Sequence, residues 1–204
     1  MTTLLEIAGT AACTEVEGPH RRFAVWVQGC TLDCAGCCNP EMFVPGAGRM
    51  LEVAALDDVI GEAQRRWGLE GITVLGGEPL QQAESVAALC ELAVARSLGV
   101  IVFSGYTHEQ AQARAGFERL WAAVDTLVDG RFEAALRDES RRFLGSRNQR
   151  LIHRTPRYAE PTLWIGGPSV ELDIAAGRPP LVVGAPALAR RVRRLATRAG
   201  GPED

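Results

Sequence analysis

The chain has 204 residues, 47% of them hydrophobic and 23% charged, enough to bury one substantial core and most economically a single compact unit. A net charge of −3 and a pI near 5.7 give no electrostatic footprint for nucleic acid, and no apolar run is long enough to suggest a membrane span. The N-terminal Met-Thr-Thr-Leu-Leu-Glu lacks a basic leader, and six cysteines, four of them packed between positions 30 and 38, do not resemble a secreted disulfide scaffold, so a reducing cytoplasm is expected.

In chain order, residues 23–28 read as a first strand, followed by the loop Cys30-Thr-Leu-Asp-Cys34-Ala-Gly-Cys37-Cys38. Residues 51–67 carry Leu56, Val59, Ile60, Ala63 and Trp67 at helical spacing, with Asp57 and Asp58 in the first turns, where acidic groups face the helix dipole. Residues 72–75 form a short β-branched and apolar strand that ends in Gly76-Gly77, and an alanine- and leucine-rich helix over 79–97 opens at Pro79. A third strand over 100–103, a helix over 107–123 capped by Thr107 and a fourth strand over 124–128 follow.

Strands alternating with helices imply parallel βαβ units. The chain is too short for a closed eight-unit barrel, so the expected fold is α/β: a partial (β/α)6-type barrel of mostly parallel strands, with a C-terminal hairpin and helix. The expected division is a core over 1–155 and an extension over 156–204 packed on it. Pro156, Pro161, Gly166, Gly167 and Pro168 mark a loop-rich connector, residues 170–174 and 181–183 a hairpin, and Pro186 the start of a last helix carrying Arg190, Arg191, Arg193, Arg194 and Arg198. In such folds ligands gather at the C-terminal ends of strands. The cysteine loop, Gly76-Gly77, Ser104-Gly105 and Asp129-Gly130 all fall there.

Cys30, Cys34 and Cys37 have a C-x3-C-x2-C spacing suited to a cubane iron–sulfur cluster. Such clusters are usually held by four thiolates, so three would leave one iron open to a substrate or cofactor. Two other readings compete. A structural zinc site needs a second Cys or His pair, and Cys13, Cys90, His20, His108 and His153 are scattered singly. Cys34-Ala-Gly-Cys37 also satisfies a thioredoxin-like C-x-x-C, which leaves Cys30 unexplained. Cys13 and Cys90 read as small buried hydrophobes, the histidines as structural or surface groups, and Trp26 as core. Gly-Gly at a strand end either is a plain turn or lets a ligand approach the backbone closely.

Together the three-cysteine loop and Gly76-Gly77-Glu78-Pro79 resemble the radical S-adenosylmethionine superfamily. Flanking words narrow the resemblance to the anaerobic ribonucleotide reductase activating enzymes and their close relatives: Val25-Trp26-Val27-Gln28-Gly29, Asn39-Pro40-Glu41, Ser104-Gly105-Tyr106, Leu127-Val128-Asp129-Gly130-Arg131-Phe132 and Gly145-Ser146-Arg147-Asn148-Gln149-Arg150. The likeness runs from about residue 5 to 155. It implies a [4Fe-4S] cluster on Cys30, Cys34 and Cys37, with S-adenosylmethionine chelating the open iron. It further implies Gly76, Gly77 and Glu78 against the cofactor's amino group, Gly36 and Cys38 lining the cluster side, and Ser104 touching the cofactor. Cys38 stands where that family commonly has an aromatic residue.

The implied chemistry begins with one electron from a flavodoxin or ferredoxin and yields methionine and a 5′-deoxyadenosyl radical that abstracts a hydrogen. No general acid, base or nucleophile is assigned, because the cofactor carries the hard chemistry. The expected target is a backbone glycine of a large partner, a glycyl-radical enzyme such as anaerobic ribonucleotide reductase. A small enzyme acting directly on a peptide or metabolite, its C-terminal region closing the pocket, and a non-catalytic metal-binding or thiol redox module remain the alternatives.

Overall fold

The computed structural model describes residues 2–174, 181–185, 188, 189, 191, 192 and 194. Strands β1 (Leu4–Thr14), β2 (Arg22–Val27), β3 (Arg49–Glu52), β4 (Gly71–Gly76), β5 (Gly99–Phe103), β6 (Thr126–Asp129) and β7 (Arg150–His153) form one open sheet in the order β3-β1-β2-β4-β5-β6-β7. Its centre, β2-β4-β5-β6, is parallel, and β1, β3 and β7 are added antiparallel at the two sides. The α/β class and the parallel centre match the sequence reading. The sheet ends at edge strands β3 and β7 and does not close.

Alternation along the parallel strands assigns each residue to one of two buried faces. Phe23, Val25 and Val27 of β2, Ile72 and Val74 of β4, and Val100 and Val102 of β5 share a core with helices α1 (Val53–Trp67), α2 (Ala83–Ala95) and α4 (Phe117–Ala123). The intervening residues build the other face. Ile101 and Val128 pack with Leu144, Tyr158 and Trp164, while Ala24, Trp26 and Leu75 pack with Ala11, Val16 and the hairpin residues Leu181 and Val183. That hairpin, β8 (Val170–Asp173) with β9 (Leu181–Gly184), falls where it was expected and covers part of the face opposite the helices. The closing helix expected from Pro186 lies largely outside the described residues.

Several expectations need correction. The helix over 107–123 is two: α3 (His108–Gln112), opened by a capping box between Thr107 and Gln110, and α4, preceded by Gly116 at φ 80°. Asp57 and Asp58 lie beyond the first turn of α1, which starts at Val53; Asp57 instead pairs with Arg96 at 2.6 and 2.7 Å. Val59 faces solvent. Residues 79–82 form a 3-10 turn ahead of α2.

At the N-terminal pole of the parallel strands lies a fully buried arginine. Arg22 donates to Thr73 Oγ1 at 2.6 Å, to the Tyr158 hydroxyl at 2.8 Å, and to the carbonyls of Pro19, Ile72 and Gly99. Its guanidinium also lies 4.8 Å from the Tyr158 ring centroid. One planar fork thus joins β2, β4 and the start of β5 to a residue that follows the sheet, a task suited to arginine's five fixed donors. Truncation would strand several buried acceptors. Arg22→Ala is therefore expected to lower unfolding stability by roughly 3 kcal/mol or more in urea titrations, and a change within about 0.5 kcal/mol, the size of an ordinary surface substitution, would refute this role.

Candidate functional site

The four parallel strands release their C-terminal ends at the opposite pole, and the cysteine loop starts there. β2 runs out at Val27, Gly29 turns at φ 91°, and residues 30–38 follow. The root of the loop is fixed by a strap from residues 41–44. Gly29 N–H donates to Met42 C=O at 2.9 Å, Cys30 N–H to Phe43 C=O at 3.1 Å, and the buried Gln28 amide to Val44 C=O at 2.8 Å. Buried Leu32 anchors the loop inward, Asp33 and Gly36 take left-handed conformations, and Cys37 N–H bonds Cys34 C=O at 3.0 Å to close a turn between these two cysteines.

All six cysteines are free thiols, and Cys30, Cys34 and Cys37 are half-buried. Burial raises the Cys30 pKa against the pull of the Leu32 N–H; it raises that of Cys34 too, helped by Cys37 and opposed by the Phe132 N–H and Arg131. Cys37 is pulled down to about 6, first by the Cys38 thiol hydrogen-bonded to it and also by the Asn39 N–H. The same bond is the chief cause that pushes Cys38 up. Each of the three sulfurs is thus near a backbone N–H that favours its thiolate, the form that binds iron. Among the described residues no three His, Cys, Asp or Glu side chains already stand as a metal-holding group. The donor set nonetheless fits an iron–sulfur cluster: three thiols on one loop, within electrostatic reach of one another, each with its own N–H donor.

The end of β4 is zipped to the root of that loop. Gly77 N–H donates to Val27 C=O at 2.8 Å and Glu78 N–H to Gly29 C=O at 2.9 Å. This contact explains the glycine pair. A Cβ on Gly76, at φ 110°, would sit 2.7 Å from Val27 N, and one on Gly77 would sit 2.4 Å from Gly29 O. The glycines thus let two strand ends meet, beyond any approach of a ligand.

Glu78 is 1% exposed, and both of its carboxylate oxygens are engaged within the protein. Oε1 accepts from Leu80 N–H at 2.8 Å and Ser104 Oγ at 2.9 Å; Oε2 accepts from Gly105 N–H at 2.8 Å. Burial raises its pKa while the three donors pull it down. Ser104 in turn accepts from Tyr106 N–H at 3.1 Å. The Gln side chains that follow extend the tie: Gln81 donates to Thr31 Oγ1 at 2.7 Å, and Gln82 to the carbonyls of Gln28 and Glu6 at 3.0 and 2.9 Å. The Gln81-Gln82 pair was not singled out in the sequence, although two amides just after a strand-ending proline are a usable signal.

Gly36, Cys38, Gly76, Gly77 and Ser104 all line one cavity of about 300 Å³ at this pole. Glu78 stands behind its wall. Other parts of the wall carried no ligand signal in the sequence: Trp26, half-buried between sheet and hairpin; Phe132 and Arg137 from the connection after β6; and Gly184 at the end of β9. Glu17 also reaches it, accepting the Gly184 N–H at 2.8 Å, and burial pushes its carboxyl up to about 7. Replacing Glu78 by Gln would set an amide NH2 against one of the three donors. Glu78→Gln is expected to cost about 2 kcal/mol in urea unfolding and to speed amide exchange at Gly105. Unchanged stability together with unchanged exchange would show that the tie is not needed.

Residues 16–152 match the family described as "4Fe-4S single cluster domain". The chain is 30% identical over 143 residues to the anaerobic ribonucleoside-triphosphate reductase-activating protein of Escherichia coli K12, covering 68% of this chain and 92% of that one. It is 40% identical over 91 residues to the pyruvate formate-lyase-activating enzyme of Streptococcus mutans, which is 43% of this chain and 34% of the enzyme. A solved structure, QueE from Escherichia coli, superposes with a TM-score of 0.42 at 12% identity, over 62% of this chain and 70% of that one. The chain belongs to the 4Fe-4S single cluster domain family, within the radical S-adenosylmethionine branch that holds the anaerobic ribonucleoside-triphosphate reductase-activating proteins.

Proposed function

We propose that this chain is a radical S-adenosylmethionine activating enzyme that installs a glycyl radical on a partner of the anaerobic ribonucleotide reductase kind. The observation that carries the reading is the zipping of the β4 end onto the root of the cysteine loop, which sets the Gly-Gly strand end beside the cavity that Gly36 and Cys38 of that loop also line. The relatives' names point the same way. Cys30, Cys34 and Cys37 would hold a [4Fe-4S] cluster. Gly36, Cys38, Gly76, Gly77 and the Ser104 backbone would line the seat of S-adenosylmethionine, and Glu78 would act through Ser104 and Gly105. When bound, this pair supplies one-electron reductive cleavage and hydrogen abstraction from a target.

The chain's own part is to hold, orient and exclude water. A cavity of about 300 Å³ is at the small end for one ligand, so with a cofactor inside it the target must present its hydrogen from outside. A glycine on a protruding partner loop suits that limit. The electron donor would be a flavodoxin or ferredoxin, and free cysteines beside an oxygen-labile cluster favour the cytoplasm. Among the described residues no helix is long and apolar enough to cross a membrane. One feature favours a second reading, direct action on a peptide or metabolite: the hairpin that lines the cavity lies beyond the residues matched by the family.

The test is anaerobic reconstitution with iron, sulfide, dithionite and S-adenosylmethionine, with and without a purified anaerobic ribonucleotide reductase. A glycine-centred paramagnetic resonance doublet on the reductase is expected, and Cys34→Ala should lose cluster absorbance and 5′-deoxyadenosine together. Deoxyadenosine without the doublet would favour the peptide or metabolite reading. Neither cluster nor deoxyadenosine would leave a metal-binding or thiol redox module.

A further inference from the structure

Between Cys30 and Cys34 stand Thr31, Leu32 and Asp33, the part of the cysteine loop that the strap from residues 41–44 does not reach. Leu32 holds this segment by packing: an added Cβ on Gly105 would sit 2.4 Å from Leu32 Cδ1. An apolar contact is non-directional, so it fixes the depth of the segment and not its rotation. The directional contact is Gln81, whose amide donates to Thr31 Oγ1 at 2.7 Å. Among the described residues it is the one side chain outside the loop that hydrogen-bonds residues 31–33. The same amide lies 3.4 Å from the Tyr106 hydroxyl, and Gln81 N–H donates to Glu78 C=O at 3.0 Å. Tyr106 is held in turn, by its N–H to Ser104 Oγ and by the Arg114 guanidinium 4.2 Å from its ring centroid. One side chain thus meets the cysteine loop, the β4 end and the β5 end, and none of Gln81, Thr31 and Tyr106 lines the cavity of about 300 Å³.

We propose that Gln81 is a positioning residue of the cofactor-cleaving reaction: acting through Thr31, it fixes where the segment from Cys30 to Cys34 stands relative to the Gly76-Gly77 seat. The inference rests on the activating-enzyme reading above. Cys30 is fixed at the loop root by the Phe43 carbonyl, and Cys34 lies four residues on, so the Thr31 bond sets the direction in which the loop leaves its root. Electron transfer and bond cleavage need the reacting groups held in one geometry, and a misplacement of about 1 Å can cost roughly a hundredfold in rate. A hydrogen bond at the edge of the site serves that need without touching the cofactor. Because Gln81 lies outside the cavity, its loss lowers the rate at saturation and leaves cofactor affinity alone, the pattern of a group that orients and does not bind.

Gln81→Leu and Thr31→Val remove the bond at nearly constant volume, whereas Gln81→Glu keeps it with the direction reversed, since a threonine hydroxyl both accepts and donates. In the metal-free protein, alkylation of Cys34 by iodoacetamide is followed by peptide mass spectrometry, with thermal melting as the check on the fold. In the reconstituted protein, 5′-deoxyadenosine formation is measured against S-adenosylmethionine concentration, and the paramagnetic resonance spectrum of the reduced cluster is recorded with and without the cofactor. Gln81→Leu and Thr31→Val are each expected to alkylate about fivefold faster and to lower kcat about fivefold, with KM within about twofold of wild type, the loss that one ordinary hydrogen bond represents. A cofactor-bound spectrum broader than that of wild type is expected in the same two variants. The double variant should be no worse than either single, and Gln81→Glu should restore both rates. Wild-type alkylation, kcat and spectrum in Gln81→Leu overturn the role, as does additive loss in the double variant. A raised KM at constant kcat makes Gln81 a binding group and overturns it too. A wild type that carries the cluster and forms no 5′-deoxyadenosine overturns the functional reading first and the positioning role with it.

Discussion

The site depends on the buried carboxylate of Glu78. With its three donors it joins two strands that sequence separates by more than twenty residues, and it does so at the pole where ligands of open α/β sheets collect. Burying a carboxylate is costly unless its oxygens are hydrogen-bonded, and here backbone and hydroxyl donors meet that need within the first residues after β4 and β5. The geometry leaves little freedom: moving the β5 end would leave Glu78 short of two partners, and moving the β4 end would break the Gly77 and Glu78 amides from the cysteine loop. The root of the cysteine loop, the Gly-Gly end and Ser104 are thereby set relative to one another before anything is bound.

The two poles of the sheet divide the work. Arg22 and Tyr158 fasten the N-terminal ends with a buried cation, and no cavity-lining residue named above belongs to that contact. The C-terminal ends carry the cysteine loop, the Gly-Gly end and the cavity that Gly36, Cys38 and Ser104 line. Stabilising groups at one end leave the other to hold half-buried thiols. The post-155 segment takes part at both, through Tyr158 at one pole and Gly184 at the other.

Much of the pattern could be read from residue order, and the failures have physical causes. The runs around Val25, Val74 and Val102 stand out because parallel strands are buried on both faces. β1 did not, since register shifts at Gly9 and between Ala11 and Thr14 break its alternation. β3 and β7 are four residues each, edge-placed and begin with arginine, so their polarity hides them. The helix over 107–123 was read as continuous because Gly116 is weak punctuation inside an alanine-rich stretch. The meeting of Gly76, Gly77 and Ser104 at one cavity is legible from strand ends alone, whereas Gly36 and Cys38 come with the family resemblance. Glu17 and Gly184 could not be so read, because their meeting depends on a hairpin more than 160 residues downstream.

The strap over residues 41–44 and the glutamine amides of Gln28, Gln81 and Gln82 have a consequence for how metal uptake relates to folding. In small zinc modules the two are one event, and the apo chain is unfolded. Here the root of the cysteine loop is held by hydrogen bonds that involve no sulfur, so the entropy of ordering it is settled when the sheet forms. Loading then has only the loop tip to arrange. A chain of this kind can lose its inorganic centre to oxygen and keep its fold, which makes repair by refilling a matter of iron and sulfide supply and not of synthesis.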